Sequence, residues 1–152
     1  MAASRNYSEA ITILVQYGAN LDLKNESGSS PLFSAIASRS EKAGLTLISL
    51  GASVDLTNSI GFTPLMMTHQ LALSRALIEK GAKINTTSPI QKKTALMGNS
   101  EFGNFEIVRL LVKHGADLHL KDKYGKKAID YARKRKHQDV VDFLSSAQTQ
   151  GP

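Results

Sequence analysis

The residues that could carry out catalysis or bind a metal ion are few in this chain, and their spacing favours neither activity. Cysteine is absent, so the chain has no thiol nucleophile and no thiolate metal ligand. His114 and His119 stand on either side of Gly115, which we expect to end a helix, so they do not share a helical face. Asp139 and Asp142 follow helical spacing and are typical of a solvated face. We therefore expect no enzymatic activity, no cofactor and no metal site.

Basic residues form the strongest charge feature. Of the net charge of +6, residues 91–152 carry +5, from twelve Lys or Arg against seven Asp or Glu (12 − 7 = 5). The run Arg133-Lys134-Arg135-Lys136 is the densest part of this excess. Such a field can steer acidic partners. Three interpretations stay open for the run: a solubilising face, a nuclear import signal, or a nucleic-acid patch, although Tyr131 nearby follows apolar spacing and is predicted to be core.

The elements that must position these residues follow from a repeated signal. The dipeptide Gly-Ala begins at residues 18, 51, 81 and 115, each time after an apolar stripe with helical spacing, and the intervals are 33, 30 and 34 residues. Such a period indicates stacked units that bury their apolar faces against their neighbours. Ser30-Pro31 and Thr63-Pro64 predict the start of another helix in each unit, because a hydroxyl caps the helix and proline tolerates its first position.

These motifs resemble the ankyrin repeat. The family pattern runs roughly D-x-x-G-x-T-P-L-H-x-A-A, then G-H-x-E-I-V-x-x-L-L, then G-A-x-x-N. The best matches are GFTPL at 61–65, GNFEIVRLL at 103–111 and DKYG at 122–125, and the likeness covers roughly residues 3–146. The resemblance implies an all-α fold, an ankyrin repeat solenoid of stacked helix-turn-helix units with β-hairpin-like loops.

We expect one ankyrin repeat domain over residues 1–146 and a disordered tail at 147–152. The approximate units are 1–24, 25–57, 58–87, 88–121 and 122–146, and the first lacks most of its first helix. The third unit is about three residues short near His69, since Thr63 to Gly81 spans 18 residues where two other units span 21. The fourth predicts a longer hairpin tip around 88–93. His137 takes the family's Gly-His position, which implies structural hydrogen bonds.

The resemblance also implies how a partner binds. Ankyrin arrays bind on a concave face, built from the hairpin tips and the outward side of the first helix of each pair. Carried over position by position, that face assigns partner-binding roles to Ile60, Phe62, Phe102, Lys123, Tyr124, Lys126, Lys134 and Arg135. This surface is apolar first and basic toward its C-terminal end, so it suits a partner segment that is hydrophobic and then acidic. For Phe62 and Phe102, packing against an adjacent tip is an equal alternative.

The sequence therefore predicts a non-catalytic protein–protein interaction module, a scaffold that binds a partner protein or peptide. The alternative is nuclear targeting or nucleic-acid binding through the C-terminal basic patch, although the sparse aromatics disfavour nucleic acid. No signal peptide is visible, and no apolar run approaches the roughly 18 residues of a membrane helix. We expect a monomer without a membrane span, located in the cytoplasm or the nucleus.

Overall fold

Helix is the only regular secondary structure in the part of the chain that the structure describes. The computed structural model describes residues 8–149, and within them nine α-helices and no strand occur. The helices are α1 Ser8–Gln16, α2 Pro31–Ala37, α3 Glu41–Ser49, α4 Pro64–Met67, α5 Leu71–Glu79, α6 Ala95–Phe102, α7 Phe105–Lys113, α8 Ala128–Arg135 and α9 Gln138–Thr149. None of them is long and apolar enough to cross a membrane. The predicted all-α fold class is confirmed.

The chain divides between Lys83 and Ile84 into two units. In the first unit α2 pairs with α3 and α4 with α5, while α1, α3 and α5 stack in one layer and α2 contacts α4. In the second unit α6 pairs with α7 and α8 with α9, and α6 contacts α8 as α7 contacts α9. The predicted start of the first repeat near Ala3 lies outside the described residues.

The predicted apolar stripes before Gly51, Gly81 and Gly115 are buried between these helices, whereas in α1, before Gly18, Ile11 is buried and Leu14 is 52% exposed. Each large aliphatic side chain removed from water contributes about 1.5–3 kcal/mol. The most completely buried side chains are Leu32, Leu47, Leu65, Leu73 and Leu77 in the first unit, and Leu96, Met97, Val108, Leu111, Val140 and Leu144 in the second.

The first helix of each pair begins where the sequence predicts. The hydroxyls of Ser30, Thr63 and Thr94 each accept the backbone N–H three residues on, at 3.3, 3.4 and 3.2 Å. The last pair has Lys127 at this position, and there the Asp130 carboxylate accepts the Lys127 N–H at 2.9 Å instead. These bonds satisfy N–H groups that the helix itself leaves without partners.

The glycines at 18, 51, 81 and 115, which follow the second helix of each pair, are called stop glycines below. The polar side chains four residues after three of them join one repeat to the next. In the first unit Asp22 and Asp55 accept backbone N–H groups of the following repeat at 2.9 and 3.0 Å. In the second unit Asn85 accepts the N–H of Asp117 at 2.8 Å and donates to the carbonyl of Gly115 at 3.0 Å. The register between successive repeats is therefore fixed by directional bonds as well as by apolar packing.

Both predicted irregularities are present. Helix α4 has four residues, whereas α2, α6 and α8 have seven or eight, so the third repeat, residues 58–87, is shortened in its first helix. Three hairpin tips close with a backbone bond from an N–H to the carbonyl four residues on. The tip of the fourth repeat closes with a bond from the Ser88 N–H to the Lys93 carbonyl, which is five residues on. In this tip Lys92 takes the left-handed conformation, with φ at 57°, that a glycine takes in the other three tips.

The C-terminal segment differs from its expectation. Helix α9 continues through Thr149, which is three residues into the stretch that the sequence predicts as a tail. The hydroxyls of Ser146 and Thr149 donate to carbonyls three residues earlier, both at 2.8 Å, and so add bonds to the last turns. The rest of the predicted tail, residues 150–152, lies outside the described residues.

Gly103 ends α6 against a histidine ring. Its φ is 70°, and a Cβ built there would lie 2.5 Å from Nδ1 of His137. The other ring nitrogen of His137 shares a hydrogen bond with the carbonyl of Glu101 at 3.1 Å. The predicted structural role of His137 is confirmed, and it depends on the missing side chain at Gly103.

Gly103→Ala is expected to destabilise the chain more than Gly125→Ala. Both glycines have positive φ, 70° and 75°, so either alanine carries a backbone cost of about 1–2 kcal/mol. Only the Cβ at residue 103 collides with a neighbour, because a Cβ at Gly125 meets nothing within 4 Å. That overlap adds about 1–3 kcal/mol. Urea unfolding followed by circular dichroism measures the difference, and equal losses in the two variants would contradict the steric argument.

Candidate functional site

A polar cleft of about 500 Å³ opens on the second unit. Its walls come from two hairpin tips and from the helices α6 and α8. The lining residues are Gln91, Lys93, Glu101, Tyr124, Lys126, Asp130, Tyr131 and Lys134.

One buried carboxylate organises the tip that carries part of this lining. Asp122 accepts the backbone N–H groups of Tyr124 and Lys126 at 2.9 and 2.8 Å. Its second oxygen accepts the hydroxyl of Tyr131 at 2.5 Å. The neighbouring Lys123 donates its N–H to the carbonyl of Gln91 at 3.0 Å, which joins the two tips. The backbone around the cleft is therefore held by hydrogen bonds on several sides.

A second carboxylate neutralises two of the nearby cations. Glu101 forms ion pairs with Lys93 at 2.7 Å and with Arg135 at 3.1 Å. The Lys93 ammonium also lies 4.1 Å from the ring centroid of Tyr131, which is a favourable cation–π distance. Because Lys93 precedes α6 and Arg135 ends α8, Glu101 ties two repeats together from inside the cleft.

These contacts shift the protonation of the three groups involved. The hydrogen bond from Lys93, helped by Arg135, outweighs burial and lowers the pKa of Glu101. Burial alone would raise the pKa of Asp122, but the hydrogen bonds from Tyr131, Lys126 and Tyr124 lower it overall. Burial and the Asp122 carboxylate raise the pKa of Tyr131. At neutral pH Tyr131 therefore keeps its proton and donates a hydrogen bond to the ionised Asp122.

Two cations of the lining have no such partner. Lys126 and Lys134 form no ion pair with any residue between 8 and 149, and both are exposed. The ring of Tyr124 beside them is 67% exposed, and the Lys123 ammonium lies 5.0 Å from its centroid. This arrangement can accept an anionic group together with a flat or apolar one.

The structure brings together part of the predicted partner-binding set. Tyr124, Lys126 and Lys134 all line the cleft. Lys123 lies against Tyr124 at the rim. Arg135 points its charge at Glu101, so its side chain has a structural partner that the sequence did not indicate.

The predicted contacts Ile60, Phe62 and Phe102 do not line this cleft. Phe102 is exposed at the end of α6 but does not line the cleft. Ile60 and Phe62 belong to the first unit, where the side chain of Asn58 accepts both of their N–H groups, at 3.2 and 2.9 Å. Ile60 is 56% exposed at this tip, whereas Phe62 is half-buried.

Sequence reasoning missed several residues of the cleft, chiefly Lys93, Asp130 and Tyr131. The helical spacing assigned Tyr131 to the core, but it is half-buried and its hydroxyl reaches Asp122. The spacing of Lys93 and Glu101 gave no signal for their ion pair, because Lys93 precedes the first residue of α6, Ala95, and eight residues along a helix span about 12 Å.

His114 and His119, the two histidines considered for a metal pair, both lie beyond the last residue of α7, Lys113. His114 follows the last residue of α7 as its C-cap, and the His119 N–H donates to the Asp117 carboxylate at 2.7 Å. Among residues 8–149 no group of three or more histidine or acidic side chains is placed to hold a metal ion.

Comparison with known proteins gives consistent matches. A family model for ankyrin repeats, in three copies, matches residues 65–150. A transient receptor potential cation channel subfamily A member 1 homolog from Caenorhabditis elegans is 32% identical over 149 residues, which are 97% of this chain and 10% of that protein. Alpha-latrotoxin-Lg1a from Latrodectus geometricus is 26% identical over 146 residues, 95% of this chain and 9% of the toxin. Notch-regulated ankyrin repeat-containing protein A from Danio rerio is 41% identical over 61 residues, 40% of this chain and 54% of that protein. The chain thus spans only a small part of the channel and the toxin.

Glu101→Gln is expected to lower the free energy of unfolding at pH 7, because the charge that pairs with Lys93 and Arg135 is lost. The pKa of Glu101 is lower in the folded chain than its ordinary value of 4.5, so the folded state binds fewer protons than the unfolded state. The stabilisation from this group is complete above pH 4.5 and is lost as the pH falls through the folded-state pKa. The difference between the wild type and the variant should therefore shrink between about pH 5 and pH 3.

Urea unfolding at several pH values measures this difference. Glu106→Gln is the matched control, because it removes the same charge from an ion pair with Arg109 whose side chains are 60% and 54% exposed. The prediction would be wrong if the loss in free energy of unfolding caused by Glu101→Gln stayed constant with pH, or if it equalled the loss caused by Glu106→Gln.

Proposed function

The chain belongs to the ankyrin repeat family, and we propose that it is a non-catalytic interaction module that binds an acidic segment of a partner protein in the cleft of its second unit. Ankyrin repeat domains are generally protein-interaction modules. The observation that carries the proposal is the pair of lysines, Lys126 and Lys134, that stand beside an exposed Tyr124 without a carboxylate partner among the described residues.

The charges of the cleft favour an anionic occupant. Glu101 is already shared between two cations, so it does not neutralise the two lysines at the opposite wall. Asp130 accepts the N–H of Lys127 and lies 3.9 Å from Arg133, which directs its charge toward its own helix. A carboxylate of the partner would therefore meet Lys126 and Lys134 without first displacing an internal ion pair. Such rim charges raise the association rate as well as the affinity.

Tyr124 supplies the apolar part of the proposed site. Exposed tyrosines are frequent binding anchors, since the ring buries a large area while losing little conformational entropy. The Asp122 bonds hold the tip at Tyr124 and Lys126 before any partner arrives, which reduces the ordering cost of binding. We therefore propose a partner segment in which a hydrophobic residue precedes an acidic run.

We propose that the other predicted contacts contribute less to binding than Tyr124, Lys126 and Lys134. Ile60 and Phe102 are large, exposed apolar side chains, each on its own unit, and suit further apolar contacts with a partner. Lys123 stands at the rim of the cleft over Tyr124. Arg135 contributes through Glu101, and the half-buried Phe62 offers less surface to a partner.

Nuclear targeting or nucleic-acid binding through residues 133–136 is the competing hypothesis. Three residues of the run end α8 and the fourth caps it, whereas import signals are usually read as extended segments. Arg133 and Arg135 also face carboxylates of the chain, at 3.9 and 3.1 Å. No observation favours this hypothesis over the cleft, and the experiment below separates the two.

Lys126→Glu combined with Lys134→Glu is expected to weaken binding of a fluorescein-labelled LFEEDE peptide about tenfold or more, because two contacts worth up to about 1 kcal/mol each become repulsive. Fluorescence anisotropy with the full chain measures the affinity. The matched control combines Lys113→Glu with Lys121→Glu, two exposed lysines outside the cleft, and changes the net charge equally. Tyr124→Ala should weaken binding of the same peptide although it leaves the net charge of the chain unchanged.

Each outcome decides between hypotheses. Equal losses in the cleft and control variants would mean that only the overall field matters, and the cleft assignment would be wrong. Equal affinity for the neutral peptide LFQQNQ would remove the acidic requirement. Tighter binding of a duplex DNA oligonucleotide, falling steeply with salt, would favour the nucleic-acid alternative because counterion release dominates such binding.

A further inference from the structure

The side chains that line the polar cleft of the second unit divide into two groups, according to whether they already have a partner. The engaged group, whose contacts are given above, is Lys93, Glu101, Asp130 and Tyr131. The free group is Gln91, Tyr124, Lys126 and Lys134. Within residues 8–149 the polar side-chain atoms of the free group form no hydrogen bond and no ion pair.

The free group is rich in hydrogen-bond donors. The ammonium groups of Lys126 and Lys134 can only donate, and the amide of Gln91 and the hydroxyl of Tyr124 can donate as well as accept. The carboxylates of the cleft, by contrast, are all engaged. Both oxygens of Glu101 face cations of the chain, and Asp130 faces a backbone N–H with one oxygen and a guanidinium with the other. A ligand that fits the cleft must therefore bring acceptors.

The charge of the free group is also larger than one carboxylate can neutralise. Lys126 and Lys134 carry two positive charges that no carboxylate of the described residues compensates. A side-chain carboxylate brings one negative charge, and so does each phosphodiester of a nucleic acid. A phosphate monoester brings about −1.5 to −2 at neutral pH, together with three strong acceptor oxygens. One such group matches both the charge and the donors.

These donors lie on segments that are fixed relative to one another before a ligand arrives. Gln91 and Lys126 belong to neighbouring tips, which the bond from the Lys123 N–H to the Gln91 carbonyl joins at 3.0 Å. Asp122 holds the tip at Lys126 and also accepts the hydroxyl of Tyr131 on α8, the helix that carries the other free lysine. The cleft of about 500 Å³ lies within the roughly 300–1,000 Å³ of pockets that hold small ligands. It therefore has room for a phosphate and for the side chain that carries it.

We propose that the anion recognised in this cleft is a phosphate monoester on a side chain of the partner segment, such as phosphoserine. Lys126 and Lys134 bind its charge, the Gln91 amide donates to one of its oxygens, and Tyr124 packs beside the residue that carries it. This inference rests on the proposed function, because it names the chemistry of the acidic group in the same cleft. It adds Gln91 to the binding residues, and it makes binding depend on phosphorylation of the partner.

Two amidated, fluorescein-labelled peptides of equal charge test the inference. LFQSNQ phosphorylated on its serine carries a charge of about −2 on one group at pH 7.5, whereas LFQEEQ divides the same charge between two carboxylates. The full chain should bind the phosphopeptide about tenfold more tightly in fluorescence anisotropy, because the charge-assisted bonds converge on one group. Unphosphorylated LFQSNQ should bind most weakly. The ³¹P resonance of the phosphopeptide should also shift when the chain is added.

Variants of the chain locate the phosphate. Lys126→Gln combined with Lys134→Gln should abolish the preference for the phosphopeptide over LFQEEQ. The matched control, Lys113→Gln combined with Lys121→Gln, changes the net charge equally at exposed positions outside the cleft and should keep the preference. Gln91→Ala retains the backbone carbonyl that joins the tips, so it should weaken the phosphopeptide about threefold and LFQEEQ less.

The contrary outcomes separate this inference from the proposed function. Equal affinity for the phosphopeptide and LFQEEQ, with LFEEDE still bound more tightly than LFQQNQ, would overturn the phosphate inference alone. Failure to bind any of the acidic peptides would overturn both proposals. A preference for phosphate that survives Lys126→Gln with Lys134→Gln would place the phosphate outside the cleft and overturn the assignment.

Other sources of phosphate are tested in the same assay. Inorganic phosphate that competes as strongly as the unlabelled phosphopeptide would assign the cleft to the free ion. Tighter binding to vesicles that contain phosphorylated inositol lipids, or to duplex DNA, would assign it to a membrane or a nucleic acid. Each of these results would overturn the assignment to a phosphorylated protein segment.

Discussion

The packing of the repeats depends on a hydrogen bond in which a backbone N–H of the following repeat donates to the side chain four residues after Gly18, Gly51 or Gly81. Asp22, Asp55 and Asn85 make this bond within their own units. It fixes the distance along the chain at which the next helix pair can pack. The leucines four residues before the glycines then reach their neighbours, as Leu47 and Leu111 do. A helix pair cannot bury its own apolar stripe, so this register decides how much surface leaves water.

The polar cleft results from the same kind of local anchoring. Asp122 holds a tip through backbone bonds and also holds Tyr131, while Glu101 joins Lys93 to Arg135. Both carboxylates have lowered pKa values, so they remain ionised at neutral pH and keep this framework charged. What distinguishes the proposed binding groups is that the framework does not use them. Because the tip is already held by hydrogen bonds, little conformational entropy is lost when a partner binds to it.

The two units present different chemistry to a partner. The cleft of the second unit combines exposed ammonium groups with an aromatic ring, which suits an acidic segment. A cleft of the first unit, between α1 and α2, has no charged lining and exposes Leu14. A repeat protein can vary its surface chemistry with little loss of stability, because substitutions at the tips and at incompletely covered faces leave the buried apolar stripe unchanged.

The sequence by itself determined the features that depend on neighbouring residues. The stop glycines, the hydroxyl caps, the short third unit and the long tip at Ser88 are all matters of local backbone conformation, which the adjacent side chains dictate. Tertiary structure decided the rest. Arg135 meets Glu101 across 34 residues, and Tyr131, assigned to the core by its spacing, turns its hydroxyl to Asp122. Leu14 is the clearest case: it occupies the same repeat position as Leu47 yet stays exposed, because burial depends on which surface lies opposite and not on the residue itself.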